Sequence, residues 1–521
     1  MSLYRLLGGT VFLSVAALTA QAEKPNIVVI MVDDMGYSDI GCYGSETDTP
    51  NLDALAENGI RFTDFYNSGR CCPTRASLLT GLYQHQAGVG HMTQDYGHPS
   101  YRGALNRRCV TIAEVLRPAG YFTAISGKWH VGSKPSQWPC QRGFDRFYGT
   151  PQGGGHHWKN LPGRDLVLND QIVPMPDDWY STTAFTNHAI RFIDEGVERD
   201  QPVFLYVAYT APHWGLHAPA DEIAKFEGRY LAGWQLVREA RFARQLEMGL
   251  FRKGTRLSPL DEKVPAWNSV DQNEMDLRMA THAAMVHLVD RGVGRIVARL
   301  RELKQLDNTL ILFLSDNGAS AESGPTGFTG SRGGNPKART GSRDSYNSFG
   351  ISGANMCDTP FRRYKMYAHE GGIATPLIAH WPAAIPENLN GTLTSEAGHV
   401  IDLLPTCVDV AGADYPRQGR SGPTIPLAGR SLKPALYGEE IPRPEGLFWE
   451  HQGNAAVRHG DWKLVRAHRQ KWSLYNLDQD RTELTDIAAS YPERVAKMKN
   501  MWQDWANRVG ARPWPVRKKK P

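Results

Sequence analysis

The chain has 521 residues, 41% of them hydrophobic and 22% charged, with a formal net charge of +5. That is the balance of a soluble globular protein, long enough for one large domain and a smaller one. The small positive charge gives no argument for a nucleic-acid partner, although it suits an anionic substrate. Seven scattered cysteines, an odd number, exclude a disulfide scaffold.

Residues 1–22 read as a secretory signal. Arg5 supplies the positive start, Leu6 to Leu18 the apolar stretch and Ala20-Gln21-Ala22 the cleavage site. The apolar run is shorter than the ~20 residues a membrane span needs, and no later stretch reaches that length. The mature protein is therefore expected to begin near Glu23, to be exported to the periplasm or secreted, and to make no stable membrane insertion.

A catalytic domain is expected over residues 23–414. It opens on the apolar run Ile27 to Val32, the pattern of a buried parallel strand, which ends in Asp33-Asp34-Met35-Gly36. Open α/β sheets place their ligands at such strand ends. Two adjacent carboxylates there repel each other unless a cation joins them. Thr49 to Ala56 reads as a capped helix and Ile60-Arg61-Phe62 as a strand. Next comes Cys71-Cys72-Pro73-Thr74-Arg75-Ala76-Ser77-Leu78-Leu79-Thr80-Gly81, a loop feeding a short helix. Pro73 suits its first turn and Gly81 its stop. Cys71 then lies just before a helix N-terminus, where an anion is favoured, with Arg75 one turn on.

Val110 to Leu116 reads as a helix, and Tyr121 to Ser126 as a strand running into Gly127-Lys128-Trp129-His130. Residues 151–157 read as a flexible loop able to line a pocket. Pro202 to Tyr209 is a further apolar strand, ending at Thr210-Ala211-Pro212-His213. His217 suits a structural role at least as well as a functional one. Residues 221–268 look like a polar excursion, helical from Leu236 to Leu250. The helix Leu277 to Leu303 carries Val289, Val293, Ile296 and Leu300 on a core face. The strand Thr309 to Leu314 ends at Ser315-Asp316-Asn317-Gly318, repeating the first strand's construction. Asp33, Asp34, Asp316 and Asn317 offer hard oxygen donors alone, which favours calcium or magnesium over zinc.

Residues 318–356, rich in Gly, Ser and Arg, read as a long functional or mobile loop. Lys365 follows, five residues before Glu370-Gly371-Gly372. Strand Ala374 to Ala379 and helix His399 to Val410 close the domain. Residues 415–444 read as a Pro- and Gly-rich linker. Residues 445–521 read as a small domain of short strands and a helix from Glu493 to Val509, with a solvated basic tail, Arg517 to Lys520.

The Cys71 to Gly81 run resembles the modification signature of the type I, formylglycine-dependent sulfatases of the alkaline phosphatase superfamily, closest to bacterial arylsulfatases. The two acidic strand ends, Gly127-Lys128-Trp129-His130 and the Lys365 to Gly372 stretch match further motifs of that family in order. His369 stands where the family often has tyrosine. The resemblance implies an α/β fold with a large, mostly parallel sheet, helices on both faces and a small C-terminal antiparallel sheet. It implies conversion of Cys71 to formylglycine by a formylglycine-generating or sulfatase-maturating enzyme, with Cys72 in the free position of the motif. One divalent cation, usually calcium, would be bound by Asp33, Asp34, Asp316, Asn317 and the formylglycine oxygen at 71.

The activity implied is hydrolysis of sulfate monoesters. Lys128, His213 and Lys365 would bind the sulfate oxygens, and Arg75 and Lys128 the diol oxygens of hydrated formylglycine. His213 or Lys365 would protonate the leaving group, and His130 would take the proton that lets sulfate go. A phosphatase or phosphonate monoester hydrolase of the same superfamily, or a non-catalytic glycan-binding protein, are the rival readings. Aryl sulfates, sulfated sugars and sulfated polysaccharides all stay open as substrates.

Overall fold

The computed structural model describes residues 24–518, so the expected secretory signal lies outside the described residues. The central strand is Asn26–Asp33, every residue of it buried. Its alternate side chains enter two different cores. Val28, Ile30 and Val32 pack with Phe185, Phe192, Val289 and Val293 on one face. Ile27, Val29 and Met31 pack with Leu78, Leu79, Ile112 and Leu404 on the other. A strand covered on both faces needs an unbroken apolar run, which is what the sequence supplies.

Strands Val203–Pro212 and Thr309–Ser315 flank the central strand, both parallel to it. Phe122–Lys128 extends the sheet in parallel beyond Val203–Pro212. The full sheet has ten strands, with antiparallel additions towards its edges. Leu377–His380 is one of these, running against Thr309–Ser315 and starting three residues later than the sequence suggests. Nothing in an apolar run of four residues encodes its direction. Parallel pairing in register is what brings the functional strand ends together: Asp33 pairs with Pro212, Val32 with Ser315 and Gly127 with Ala208.

Helices cover both faces. The helix Gln272–Glu302 is longer than expected because Asp271 caps it, accepting the amide of Glu274 at 3.1 Å. The helix expected from Val110 starts at Ile112, behind a capping box of Thr111 and Glu114. Thr49 stands at the start of Pro50–Glu57 but does not cap it; its hydroxyl donates to Asp53 at 3.1 Å. Helix Ser181–Glu198 is a further element, its period carried by the buried Phe185, Ala189, Phe192 and Ile193. The stretch 318–356 is not loop throughout: Gly350–Cys357 is a fully buried helix. Its two glycines hid it from propensity, and burial supplies the stability that propensity lacks.

Residues 415–444 carry a small hairpin and the helix Lys433–Leu436, with Leu432, Leu436 and Ile441 buried in the second core. The last part of the chain forms a separate four-stranded antiparallel sheet with the helix Pro492–Val509 against it. Leu447, Trp449, Leu464 and Trp505 join the first core, so the small sheet shares a core with the large one. Among the described residues no helix is long and apolar enough to cross a membrane.

Candidate active site

The site lies beyond the C-terminal ends of the parallel strands. Asp33 and Asp34 come from the central strand, Asp316 and Asn317 from Thr309–Ser315, Lys128 and His130 from Phe122–Lys128, and His213 from Val203–Pro212. The helix Cys71–Thr80 points its first residue at the same place. All ten of its residues are buried, and Gly81 ends it at φ 65°, a conformation glycine adopts without strain. Cys71 is the first helical residue, one position further in than the sequence suggests, with Arg70 at the cap.

Three carboxylates meet three cations here. Lys128 Nζ lies 2.6 Å from Asp33 Oδ2, and Arg75 Nη2 2.7 Å from Asp316 Oδ2. Lys365 Nζ lies 2.6 Å from Asp34 Oδ1. Asn317 donates its amide to Asp34 Oδ1 at 2.7 Å, and His213 Nε2 stands 3.3 Å from Asp34 Oδ2. Asp34 sits at φ 67° and His130 at φ 62°, left-handed conformations that cost roughly 1–2 kcal/mol each. Both occur where a strand must turn its next side chain back towards the site.

The set is incomplete as it stands. Asp33 Oδ1 and Asn317 Oδ1 are buried without a hydrogen-bond partner. Burial and the neighbouring Asp33 charge push the Asp316 carboxyl well above the usual range, against Arg75 and Lys128. Burial would raise Asp33 as well, but Lys128, His213 and Arg75 outweigh it and hold that carboxyl well below its usual range. Orphan oxygens and repelling carboxylates fit a hard divalent cation among Asp33, Asp34, Asp316 and Asn317, the donor set of calcium or magnesium.

Cys71, Cys72 and His130 form a second group, their sulfur and ring-nitrogen atoms within 4.8 Å of one another. A hydrogen bond from Cys72 holds the Cys71 thiol well below its usual range despite burial, helped by Lys128 and His130. Cys72 is pushed the opposite way, by burial and then by Cys71. Burial and Lys128 lower His130 to about 4, so its imidazole is neutral at pH 7.

The loop 151–157, without a role in the sequence reading, covers these groups. A Cβ on Gly153, itself at φ 103°, would stand 2.6 Å from His130 Nε2. One on Gly154 would stand 3.4 Å from Asp33 Oδ2. His157 bridges the Ser181 hydroxyl at 2.8 Å and the His213 carbonyl at 2.9 Å, and so fixes the backbone of His213. His217 is fully buried, 2.8 Å from the Ser345 carbonyl and stacked on His156, which suits a structural part. Glu322, inside the long loop, pairs with Arg70 at 2.8 Å and accepts from the Trp214 indole at 2.9 Å. Lys365, Arg70 and His213 hold its carboxyl at about 2 against the effect of burial. Sequence reasoning missed Glu322 and Arg70 because neither lies in a periodic element.

The Sulfatase family profile matches residues 25–413. An uncharacterized sulfatase of Schizosaccharomyces pombe is 33% identical over 93% of this chain and 93% of its own. The arylsulfatase of Klebsiella aerogenes is 34% identical over 82% of this chain and 96% of its own. The crystal structure of Ps i-CgsB in complex with k-i-k-neocarrahexaose superposes with a TM-score of 0.69, at 29% identity and 93% coverage of both chains. The chain belongs to the sulfatase family, with the alkaline phosphatase-like fold. It is an enzyme of sulfate ester hydrolysis.

Proposed function

We propose that this sulfatase cleaves sulfate monoesters with a formylglycine made from Cys71 and one divalent cation, calcium or magnesium, held by Asp33, Asp34, Asp316 and Asn317. The observation that carries the reading is the meeting, at the C-terminal ends of the central strands, of Cys71 with an all-oxygen cluster that leaves Asp33 Oδ1 and Asn317 Oδ1 without hydrogen-bond partners. Bound there, the cation supplies charge that offsets the sulfate oxygens. Hydrated formylglycine supplies two hydroxyls on one carbon, one to attack sulfur and one to release sulfate.

The chain's own residues do the rest. Lys128, His213 and Lys365 bind the sulfate oxygens and counter charge that builds in the transition state. Arg75 and Lys128 orient the diol oxygens. His213 or Lys365 gives a proton to the departing alcohol or phenol. His130, neutral at pH 7, takes the proton of the second hydroxyl as sulfate departs. The balance is one ester and one water consumed, one alcohol and one sulfate formed.

A sulfated glycan or an aryl sulfate is the substrate we infer. The arylsulfatase relative and the neocarrahexaose bound by Ps i-CgsB support the two classes. A formylglycine-generating or sulfatase-maturating enzyme is the partner this requires. Export after removal of residues 1–22 is the location we infer, checked by a mature N-terminus near Glu23.

The test is turnover of paired sulfate and phosphate esters by protein made alongside a modifying enzyme. The tryptic peptide ending at Arg75 is weighed in the same sample. Formylglycine makes that peptide lighter than its sequence mass and reactive towards carbonyl reagents. Cys71→Ala abolishes turnover. A free thiol at 71 in fully active protein overturns the mechanism, and faster turnover of phosphate than of sulfate esters overturns the substrate.

A further inference from the structure

A cleft of about 1000 Å³ opens beside Lys365 and Glu322 and runs outward between the large domain and the C-terminal sheet. It is far larger than a phenyl sulfate requires and stands at the upper end of small-molecule sites. One wall is the segment Arg362 to Tyr367. The other is the hairpin turn 467–472, which joins strands Trp462–Arg466 and Ser473–Asn476.

The lining is unbalanced in charge: seven lysines and arginines against Glu262 and Glu322. On the first wall the cations are already engaged. Arg363 pairs with Asp261 at 3.2 Å, Arg362 donates to the Glu483 carbonyl at 3.0 Å, and Lys365 is held by Asp34. On the hairpin wall they are not. Among the described residues no ion pair engages Arg466, Arg469 or Lys471. Arg466 is held rather than solvated: its guanidinium lies over the rings of Trp472 at 4.8 Å and Trp502 at 5.5 Å. Its Nε is buried with no hydrogen-bond partner. Stacking on the two indoles fixes this guanidinium at the cleft wall, where a cation without an ion pair suits an anion. Trp514, also in the lining, adds an aromatic surface suited to a sugar ring.

We propose that this cleft seats the part of the substrate beyond the cleaved ester, and that this part is an oligosaccharide bearing at least one further sulfate or carboxylate, bound by Arg466, Arg469 and Lys471. The proposal rests on the sulfate ester reading of the neighbouring site and narrows it: the enzyme works on polyanionic glycan chains in preference to isolated monosulfates. Exposed charges each contribute modestly, so three together are expected to change affinity about tenfold.

The test measures binding apart from turnover. Full-length Cys71→Ala protein is titrated calorimetrically with carrageenan-, chondroitin sulfate- and heparin-derived hexasaccharides and with their desulfated counterparts. At least one sulfated probe binds about tenfold tighter than its desulfated form, with affinity that falls as salt rises. Adding Arg466→Ala, Arg469→Ala and Lys471→Ala removes that advantage, and Arg469→Lys with Lys471→Arg keeps it. If loss of Arg466 unsettles the packing of Trp472 and Trp502, the double variant of the exposed Arg469 and Lys471 gives the same comparison. In the enzyme with residue 71 intact, the same alanine changes lower kcat/KM for the sulfated glycan relative to an aryl monosulfate, through KM. Equal binding of every sulfated and desulfated pair, or unchanged binding by the alanine variants, overturns the proposal. Failure of the intact enzyme to turn over any sulfate ester would instead overturn the reading of the catalytic site and leave the binding result standing.

Discussion

Two buried clusters built on aspartates a few residues apart, one at Asp33 and Asp34 and one at Asp39, have opposite characters. At the strand ends, Asp33 Oδ1 and Asn317 Oδ1 lack partners, and like charges crowd Asp316. A few residues on, Asp39 has both oxygens satisfied. Oδ1 accepts from Arg241 at 2.8 Å, and Oδ2 lies 3.0 Å from His282 Nε2 and accepts the Gly36 amide at 2.9 Å. Cys357 completes a trio with Asp39 and His282 that has the spacing of a metal site. Arg241 already fills the place of a cation there. Proximity of ligand atoms therefore does not distinguish a metal site from a structural ion cluster. The two clusters differ in the oxygens left over after the protein's own hydrogen bonds.

The largest expected effect tests that difference directly. Asp33→Ala loses the bound divalent cation, and catalytic efficiency falls by about 5 kcal/mol in transition-state stabilisation; metal analysis and steady-state kinetics on one preparation check it. Stoichiometric zinc in the unaltered protein would break the comparison. Asp39→Ala leaves metal content unchanged and instead lowers unfolding stability by about 3 kcal/mol, because Arg241 Nη1, His282 and the Gly36 amide lose their buried acceptor while Glu46 still holds the rest of the guanidinium; denaturant melts read this. Lys365→Ala sits between the two kinds of effect: it keeps the fold and loses about 2–4 kcal/mol of transition-state stabilisation, seen in kcat/KM for an aryl sulfate.

Acid sharpens the contrast further. Burial alone would raise the Asp39 carboxyl, but His282 and Arg241 outweigh it and hold it well below its usual range. Its contribution to stability is complete above the unfolded carboxyl value of about 4 and is lost as pH falls below that. The gap in melting temperature between the unaltered protein and Asp39→Asn is therefore expected to shrink steadily as pH drops below 4. The smallest effect is that of Cys72→Ala, about 1 kcal/mol of stability with activity nearly intact, measured by melting and by aryl sulfate turnover.

What could be read before the structure follows from which physical signals are local. The strands ending at Asp33 and Ser315 announce themselves because burial on both faces demands long apolar runs. Once two strands are known to be parallel and in register, their ends must lie side by side. The stop at Gly81 was legible from the glycine alone. By contrast, Gly350–Cys357 is helical through its surroundings and against its composition. Glycines 153 and 154 matter because His130 and Asp33 lie against them, which no pattern within the loop records. The same holds for the Arg70–Glu322 pair, whose members are 252 positions apart in the chain (322 less 70) and meet only in the folded molecule. Direction was unreadable too: a four-residue strand such as Leu377–His380 has no sign of running antiparallel.

Lys463 gives the small sheet a hold on the order of events during synthesis. Its buried ammonium lies 2.6 Å from Glu370 Oε1 and 2.8 Å from Glu483 Oε1. Glu370 opens the Glu-Gly-Gly turn just after Lys365, yet its counter-charge is made 93 residues later. A chain emerging from the ribosome or an export channel carries that carboxylate unmatched until nearly its whole length is available. Lys463→Ala, which leaves the small sheet in place over this spot, strands the buried Glu483 carboxylate at a cost of about 3–5 kcal/mol. The turn beside Lys365 therefore gains its counter-charge only once the small sheet has been made.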